Sequence, residues 1–389
     1  MPIPYTKHQI AKEDLAAVLG ALVSGALVDG DLVREFESKI SELTNSSYSV
    51  AVNSGTSGLH IAYLAMGIGP QSLVWTVPNT FVATANAARL CGAEVDFVDI
   101  DPSTYAISTT ALEDKLFAAR ANGRPLPDLV VPVHFAGAPV DMARIGELAS
   151  EYGFSVVEDA AHALGAKANG SPVGGCSYSA ISVFSTHPAK IITTGEGGVC
   201  TTNSQELAYR MRLLRSHGVD KAGCNPTEPY LYEQHLLGLN YRLTEMAAAL
   251  GLSQLHRLPQ LARSRREIVA RYKDAMKELG IESQTHNVGA ESSNHLYVIQ
   301  LNSKQERDKV FRSLFENDIQ AQVHYRPVHT QPYYRQLGFA PGDFPVSEQY
   351  FSRAISLPVF PDLTEEEQER VVTTITRELE KACTRSQSL

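Results

Sequence analysis

The chain has 389 residues, 43% of them apolar and 20% charged, with a formal net charge of −9. The length suffices for one large and one smaller domain with a sizeable core. The acidic balance argues against nucleic acid as the main partner, and no apolar run approaches the roughly 20 residues that a membrane span needs.

Residues 11–24 predict an amphipathic helix with Leu15, Val18, Leu19 and Leu22 on one face. Gly25 and Gly30 bracket a loop, and a second helix covers Leu32–Leu43. Short β-rich runs follow at Tyr48–Val52, Leu73–Thr76, Val95–Ile100, Leu129–Phe135, Phe154–Glu158, Ala180–Phe184 and Val199–Thr202. Helix-length segments lie between them at Thr56–Met66, Phe81–Leu90, Thr110–Ala121, Met142–Tyr152 and Gln205–Leu214. Strand, helix, strand at this spacing predicts βαβ units and an α/β fold with a mainly parallel, buried sheet.

Beyond residue 216 the pattern changes. Gly218–Tyr232 reads as a polar loop, Leu243–Leu255 as a buried helix and Leu258–Leu279 as a charged connecting helix carrying Arg263, Arg265, Arg266 and Glu267. A smaller α+β domain then holds a strand Leu296–Leu301, a helix Lys304–Glu316, a strand Ile319–Tyr325, a short run Ile355–Val359 and a closing helix Glu365–Ala382, with Thr384–Leu389 frayed. The expected division is 1–254 and 255–389. The start Met1–Lys7 has no signal-peptide apolar region, so a cytoplasmic location is expected. Cys91, Cys176, Cys200, Cys224 and Cys383 are scattered without a Cys-x-x-Cys pair, which fits reduced thiols. His324 and His329 are poorly spaced for one helical face, and no metal site is expected.

Three stretches carry candidate chemistry. In Ala180–Gly198 a β-like run ends in polar residues, and Lys190 then stands between Pro188-Ala189 and Ile191-Ile192. An ammonium loses hydration there, which lowers its pKa and frees the amine to attack a carbonyl; alone, such a lysine also fits a snorkelling side chain at a strand end. Val52-Asn-Ser-Gly-Thr-Ser-Gly-Leu-His60 follows a strand and opens a helix. Its free N–H groups and the Thr56 and Ser57 hydroxyls could seat a phosphate, or simply cap the helix. In Phe154–His162 an apolar strand delivers Asp159 to its carboxyl end, where open α/β sheets place ligands. A buried carboxylate there needs a cation, and a protonated pyridine nitrogen would serve; a helix cap is the alternative. Phe81 could stack on a flat ring or belong to the core.

Together these pieces resemble the pyridoxal-phosphate aminotransferases of fold type I (aspartate aminotransferase-like), and more narrowly the sugar aminotransferases of the DegT/DnrJ/EryC1/StrS family. The motifs that carry the resemblance are Asn53-Ser-Gly-Thr-Ser, Glu158-Asp-Ala-Ala-His, Phe184-Ser-x-His-x-x-Lys190, Gly195-Glu-Gly-Gly and Gly238-Leu-Asn-Tyr-Arg-Leu, spread over nearly the whole chain. Within the family, Ser292-Ser-Asn-His-Leu-Tyr297 and Gln320-Ala-Gln-Val-His-Tyr-Arg326 look like the enzymes that make the pseudaminic acid precursor. Those aminate C4 of a UDP-linked 4-keto-6-deoxy-N-acetylhexosamine with L-glutamate.

The resemblance implies that Lys190 holds the pyridoxal 5′-phosphate aldehyde and shuttles the proton, while Asp159 partners the pyridine nitrogen. It places His162 by the ring hydroxyl, Phe81 on the ring, and Thr56, Ser57 and Ser185 on the phosphate. Asn240 would reach that phosphate from a second subunit, which implies a homodimer with shared sites. Tyr5, the loop Gly25, Ala26, Leu27 and Val28, His187, and Val323, His324, Tyr325 and Arg326 match segments that line the sugar-nucleotide pocket; residues 1–30 belong to that lining. Thr186, Val28 and Gly25-Ala26 depart from the family pattern, so the reaction is better defined than the sugar. The competing readings are another nucleotide-sugar aminotransferase (dTDP- or UDP-linked, C3 or C4), a non-catalytic binder of the cofactor, and a nicotinamide oxidoreductase. The last is disfavoured because Gly67-Ile-Gly69-Pro-Gln-Ser72 follows a helix and lacks a third glycine.

Overall fold

A computed structural model describes residues 2–220, 227–228 and 230–386. Positions 221–226 and 229 of the expected Gly218–Tyr232 loop, and the terminal residues 387–389, lie outside the described residues. Seven strands build the central sheet: β1 (Tyr48–Val52), β2 (Leu73–Thr76), β3 (Glu94–Phe97), β4 (Leu129–Val131), β5 (Ser155–Asp159), β6 (Ile181–Ser185) and β7 (Gly198–Thr202). Their spatial order is β1-β7-β6-β5-β4-β2-β3. Pairing is parallel from β3 through β6, and β7 runs antiparallel to both β1 and β6. The β4 and β7 residues are all buried, as expected of a sheet with helices on both faces. Because the parallel strands end on one edge, β5 and β6 deliver Asp159 and Ser185 to the same rim.

Five of the expected strands differ at their ends, the sixth running from Ile181 to Ser185 rather than from Ala180 to Phe184. The Val95–Ile100 run is paired only to Phe97. The Leu129–Phe135 run stops at Val131 and closes in a turn of 3-10 helix, Phe135–Gly137, that bends the chain under the site. The fifth strand runs one residue further than expected, to Asp159, and the seventh starts at Gly198.

The two helices expected across 243–279 are one, Glu245–Glu278, with Pro259 inside it. Proline removes one helical hydrogen bond, but Leu258 and Leu261 on either side are buried and keep the helix packed. The helix spans both cores. Ala248, Leu252, Leu258 and Leu261 join the large-sheet cluster, whereas Ile268, Val269, Tyr272 and Met276 join the C-terminal one. The C-terminal sheet is antiparallel, with Tyr297–Gln300 between Glu282–Ser283 and Ala354–Leu357. The expected strand Ile319–Tyr325 makes only isolated bridges, of Ile319 with Ile3 and of Gln322 with Ser356. The N-terminal segment supplies the missing pairing: Ile3 N donates to Asp318 O and Gln320 N to Ile3 O. The closing helix continues to Ser386, past the expected fraying point at Thr384.

The first helix, Lys12–Val23, forms where expected but faces the other way. Leu15, Leu19 and Leu22 are between 48% and 63% exposed. What anchors the helix is buried Asp14, which accepts hydrogen bonds from Ser253 Oγ (2.6 Å), Gln254 Nε2 (2.8 Å) and Arg257 Nη2 (2.6 Å) on the long helix.

Candidate active site

Neighbouring carboxylates on a strand point to opposite faces, and β5 ends in two. Glu158 turns to His134 Nε2 (2.7 Å) and to the Ser179 hydroxyl. Val140 N donates to His134 Nδ1 (3.1 Å), so Nε2 carries the ring proton and donates to Glu158. Asp159 turns to the other side, 5% exposed, and accepts from Thr84 Oγ1 (2.7 Å) and Ala161 N (3.1 Å). These donors fix the carboxylate without neutralising it, and among the described residues it has no ion-pair partner.

Lys190 stands on the turn after β6. Its N donates to His187 O (2.8 Å), Thr194 N donates to Thr186 O (3.0 Å), and the Thr186 and Thr194 hydroxyls bond at 2.7 Å. Ile191 and Ile192 are buried and clamp the turn. Burial lowers the Lys190 pKa to about 8, against the opposing pull of Asp159. The amine is therefore far easier to deprotonate than an ordinary lysine.

The helix Gly55–Ala65 begins beside the end of β6, the strand before Lys190. Ser54 caps it by accepting from Ser57 N, which leaves the Gly55 and Thr56 N–H groups at an electropositive end. Close approach explains two glycines here: a Cβ on Gly198 would lie 2.8 Å from Gly55 N and from Ser54 C and O, and one on Gly55 would lie 3.0 Å from Ser185 Cβ. Ser185 is thus pressed against the helix start. Thr56 is exposed, but the Ser57 hydroxyl is already bound to Asn53 Oδ1 (2.7 Å) and Ser54 Oγ (2.8 Å).

A wall of rings closes the other side. Buried His162 bonds through Nε2 to Tyr325 OH (3.1 Å), and its Nδ1 has no partner. Tyr325 N donates to Asn79 Oδ1 (3.1 Å), Tyr5 OH meets His324 Nε2 (3.3 Å), and His324 Nδ1 meets Ser356 Oγ (2.8 Å). Burial, reinforced by the Lys190 charge, takes His162 well below its ordinary pKa and His324 down to about 3, so both are neutral imidazoles. Phe81 is 59% exposed with its ring 6.2 Å from that of Tyr325.

The remaining candidates lie around this cluster. His187 is exposed and accepts from Ala189 N (3.1 Å). Val323 is half-buried; Arg326 is exposed and donates through Nη2 to Thr330 O (2.9 Å). Gly25, Ala26, Leu27 and Val28 form an exposed loop. Its contacts run to the start of the long helix, where Glu245 N donates to Leu27 O and Val28 bridges Thr244. Asn240 is exposed and pairs its main chain with Ser216, beside Asn53. Thr84, Asn79, Arg265 and His295 are site residues that the sequence reading passed over. For Arg265 the signal was available, since it shares an apolar phase with Leu261, Ile268, Val269 and Tyr272.

Lys190, half-buried and with a lowered pKa, and Asp159, without an ion-pair partner among the described residues, thus lie near a helix start with free N–H groups. Residues 8–376 match the profile of the DegT/DnrJ/EryC1/StrS aminotransferase family. The chain belongs to this family. A Bacillus subtilis relative described as spore coat polysaccharide biosynthesis protein SpsC is 36% identical over 380 residues, 95% of each chain. Among solved structures, the putative sugar aminotransferase Spr1654 of Streptococcus pneumoniae in its PMP-form superposes with a TM-score of 0.90 at 27% identity, covering 100% of both chains. Helicobacter pylori PseC, described as an aminotransferase involved in the biosynthesis of pseudoaminic acid, gives a TM-score of 0.89 at 32% identity, covering 98% of this chain and 100% of that one. The DegT/DnrJ/EryC1/StrS fold is therefore the pyridoxal-phosphate fold type I, and the cofactor is pyridoxal 5′-phosphate. The cradle fits it: an unpaired buried carboxylate, an orphaned imidazole nitrogen, an exposed aromatic ring and free N–H groups at a helix start.

Proposed function

We propose that this aminotransferase aminates C4 of a UDP-linked 4-keto-6-deoxy-N-acetylhexosamine with L-glutamate as donor. Its product would be UDP-4-amino-4,6-dideoxy-N-acetyl-β-L-altrosamine, used in the cytoplasm for pseudaminic acid synthesis. The observation that carries the reaction is the half-buried Lys190 amine, easier to deprotonate than an ordinary lysine, within the electrostatic reach of Asp159. The sugar reading is supported by the 32% identity to PseC over nearly all of both chains. The 36% identity to SpsC favours a second reading, another nucleotide-sugar aminotransferase of the same family.

Bound pyridoxal phosphate supplies an electron-accepting ring that makes the Cα–H bond of the donor breakable. Lys190 would hold its aldehyde and, as a free base, would take a proton from the donor Cα and return it. Asp159 keeps the pyridine nitrogen protonated, and Thr84 and Ala161 keep Asp159 aimed. His162, neutral and fixed by Tyr325, offers Nδ1 to the ring oxygen. The Gly55 and Thr56 N–H groups with the Thr56 and Ser185 hydroxyls seat the phosphate, and Phe81 covers the ring. Ser57, its hydroxyl already engaged, contributes mainly through the helix start. Residues 1–254 form the cofactor domain and 255–389 the small domain. Tyr5, His187 and Val323–Arg326 line the sugar-nucleotide pocket, and Asn240 with the Gly25–Val28 loop completes the pocket of a second subunit.

The test is to incubate the enzyme with glutamate and a panel of UDP- and dTDP-linked 4-keto-6-deoxy sugars. Amination at C4 of the UDP-linked N-acetyl sugar is expected. Amination of a dTDP sugar alone, or at C3, would select the second reading.

A further inference from the structure

A cavity of about 530 Å³ lies between the long helix, which lines it with Arg266, Val269 and Lys273, and the strand pair that carries Lys167 and Glu291. None of the residues placed around Lys190 lines it, and its volume falls within the roughly 300–1,000 Å³ of small-molecule pockets. Lys167, Arg266 and Lys273 are exposed, and among the described residues none has a carboxylate within ion-pair distance. Glu291, the one carboxylate among the described lining residues, stands opposite Lys167 in the strand register yet forms no ion pair with it. Three cations thus face one anion, in a chain whose net charge is −9.

The walls are tied down by the large domain. Asn169 N donates to Gly289 O (2.9 Å), Thr285 N to Ser103 O (2.9 Å), Asn287 Nδ2 to Pro139 O (3.1 Å) and Ser293 Oγ to His162 O (2.6 Å). Arg266 and Lys273 are two helical turns apart, roughly 10 Å along the axis, which is about one Debye length in physiological salt. Like charges held that close around a concave, low-dielectric wall concentrate positive potential inside it. Burial, and then Lys273, lower the pKa of His286 in the lining to about 4, so its imidazole is neutral and can donate one hydrogen bond.

A carboxylate would satisfy one of these cations and leave the others facing each other. A phosphate group brings nearly two charges and three acceptor oxygens, enough for cations that come from two walls. Val269 and Ala270, between Arg266 and Lys273, add apolar surface for an organic part. A long polyanion such as a nucleic acid would meet the repulsion of an acidic chain beyond the cavity. We propose that this cavity is a second ligand site, apart from the active site, that takes a small phosphate ester of the sugar-phosphate or nucleoside-phosphate class. The ester bound there is not a substrate of the reaction at Lys190. The proposal does not depend on that reaction or on its sugar.

The test uses the cofactor-loaded enzyme, whose own phosphate seat is filled. Its lysines are acetylated with a limiting active ester, and the rate at each is read by peptide mass spectrometry while inorganic pyrophosphate is titrated in. Labelling of Lys167 and Lys273 should slow severalfold, whereas that of the exposed Lys39 and Lys304 should not change. In Arg266→Gln combined with Lys273→Gln, the pyrophosphate concentration that half-protects Lys167 should rise at least about tenfold, as for lost charge-assisted hydrogen bonds. Arg266→Gln alone, expected to shift it in the same direction, decides the matter if the double variant does not fold. Parallel titrations with UMP and with glucose 1-phosphate distinguish the sources: protection at lower concentration by UMP marks a nucleoside phosphate, and by glucose 1-phosphate a sugar phosphate. No protection of Lys167 and Lys273, equal protection of all four lysines, or protection of Lys167 that is unchanged in the folded variants would overturn the proposal.

Discussion

Lys190 and Asp159 stand out in the sequence because each is a charge placed where apolar residues dominate. The structure gives that misplacement a consequence. Burial brings the lysine pKa to about 8 from 10.5, so the unfolded chain binds the proton more readily between those values. The cofactor-free protein should therefore gain stability as pH rises through this window, while below about 8 the penalty of the buried charge is fully present. Capture of pyridoxal phosphate by the cofactor-free protein needs the neutral amine. Its rate, followed by absorbance, should rise with pH to a plateau with a midpoint of about 8, and a midpoint near 10.5 would contradict the burial. Asp159→Asn should still bind the cofactor but lose about 100-fold or more in turnover, because the ring nitrogen loses its charge partner; near-normal turnover would remove Asp159 from its role. The burial of Arg265 was harder to read for the converse reason. Arg265 sits in a run of charged residues that reads as a solvated face, and only its phase with Leu261 and Ile268 marks it as buried.

Most of the central strands were legible because both of their faces are buried, so their residues form apolar runs that helices cannot imitate at that length. Their ends were less so, since Phe97 and Val131 are followed by residues just as apolar that keep only isolated contacts with the sheet, such as Val98 N to Thr76 O and the bridge of Val133 with Asp159. The expected strand Ile319–Tyr325 failed because its partner, the segment at Ile3, is more than 300 residues away in sequence and pairs at one position only. Pro259 suggested a break, yet burial on both sides carries the helix through it. Glycine substitutions separate close approach from mere flexibility. Gly198→Ala should destabilise the protein by about 1–3 kcal/mol, since the added methyl meets main chain at Ser54 and Gly55. Gly20→Ala, inside a helix with open space around it, should stabilise by about 0.5–1 kcal/mol. Denaturant unfolding of the two variants checks both, and equal effects would contradict the packing at the helix start.

At the scale of the molecule, the stripe of Leu15, Leu19 and Leu22 and the residues Leu237 and Leu239 are exposed apolar surface. The loop Gly25–Val28 and Asn240 lie on exposed backbone near the start of the long helix. If Asn240 serves a second subunit, mixing Lys190→Ala with Asn240→Ala subunits should restore about a quarter of wild-type activity at limiting cofactor, because half of the randomly mixed dimers regain one intact site. No restoration would place each site within one chain. The central claim is tested most directly by borohydride reduction of the loaded enzyme followed by peptide mapping. A single pyridoxyl label on Lys190, absent from Lys190→Ala, is the predicted result; a label on another lysine, or none, would contradict the account.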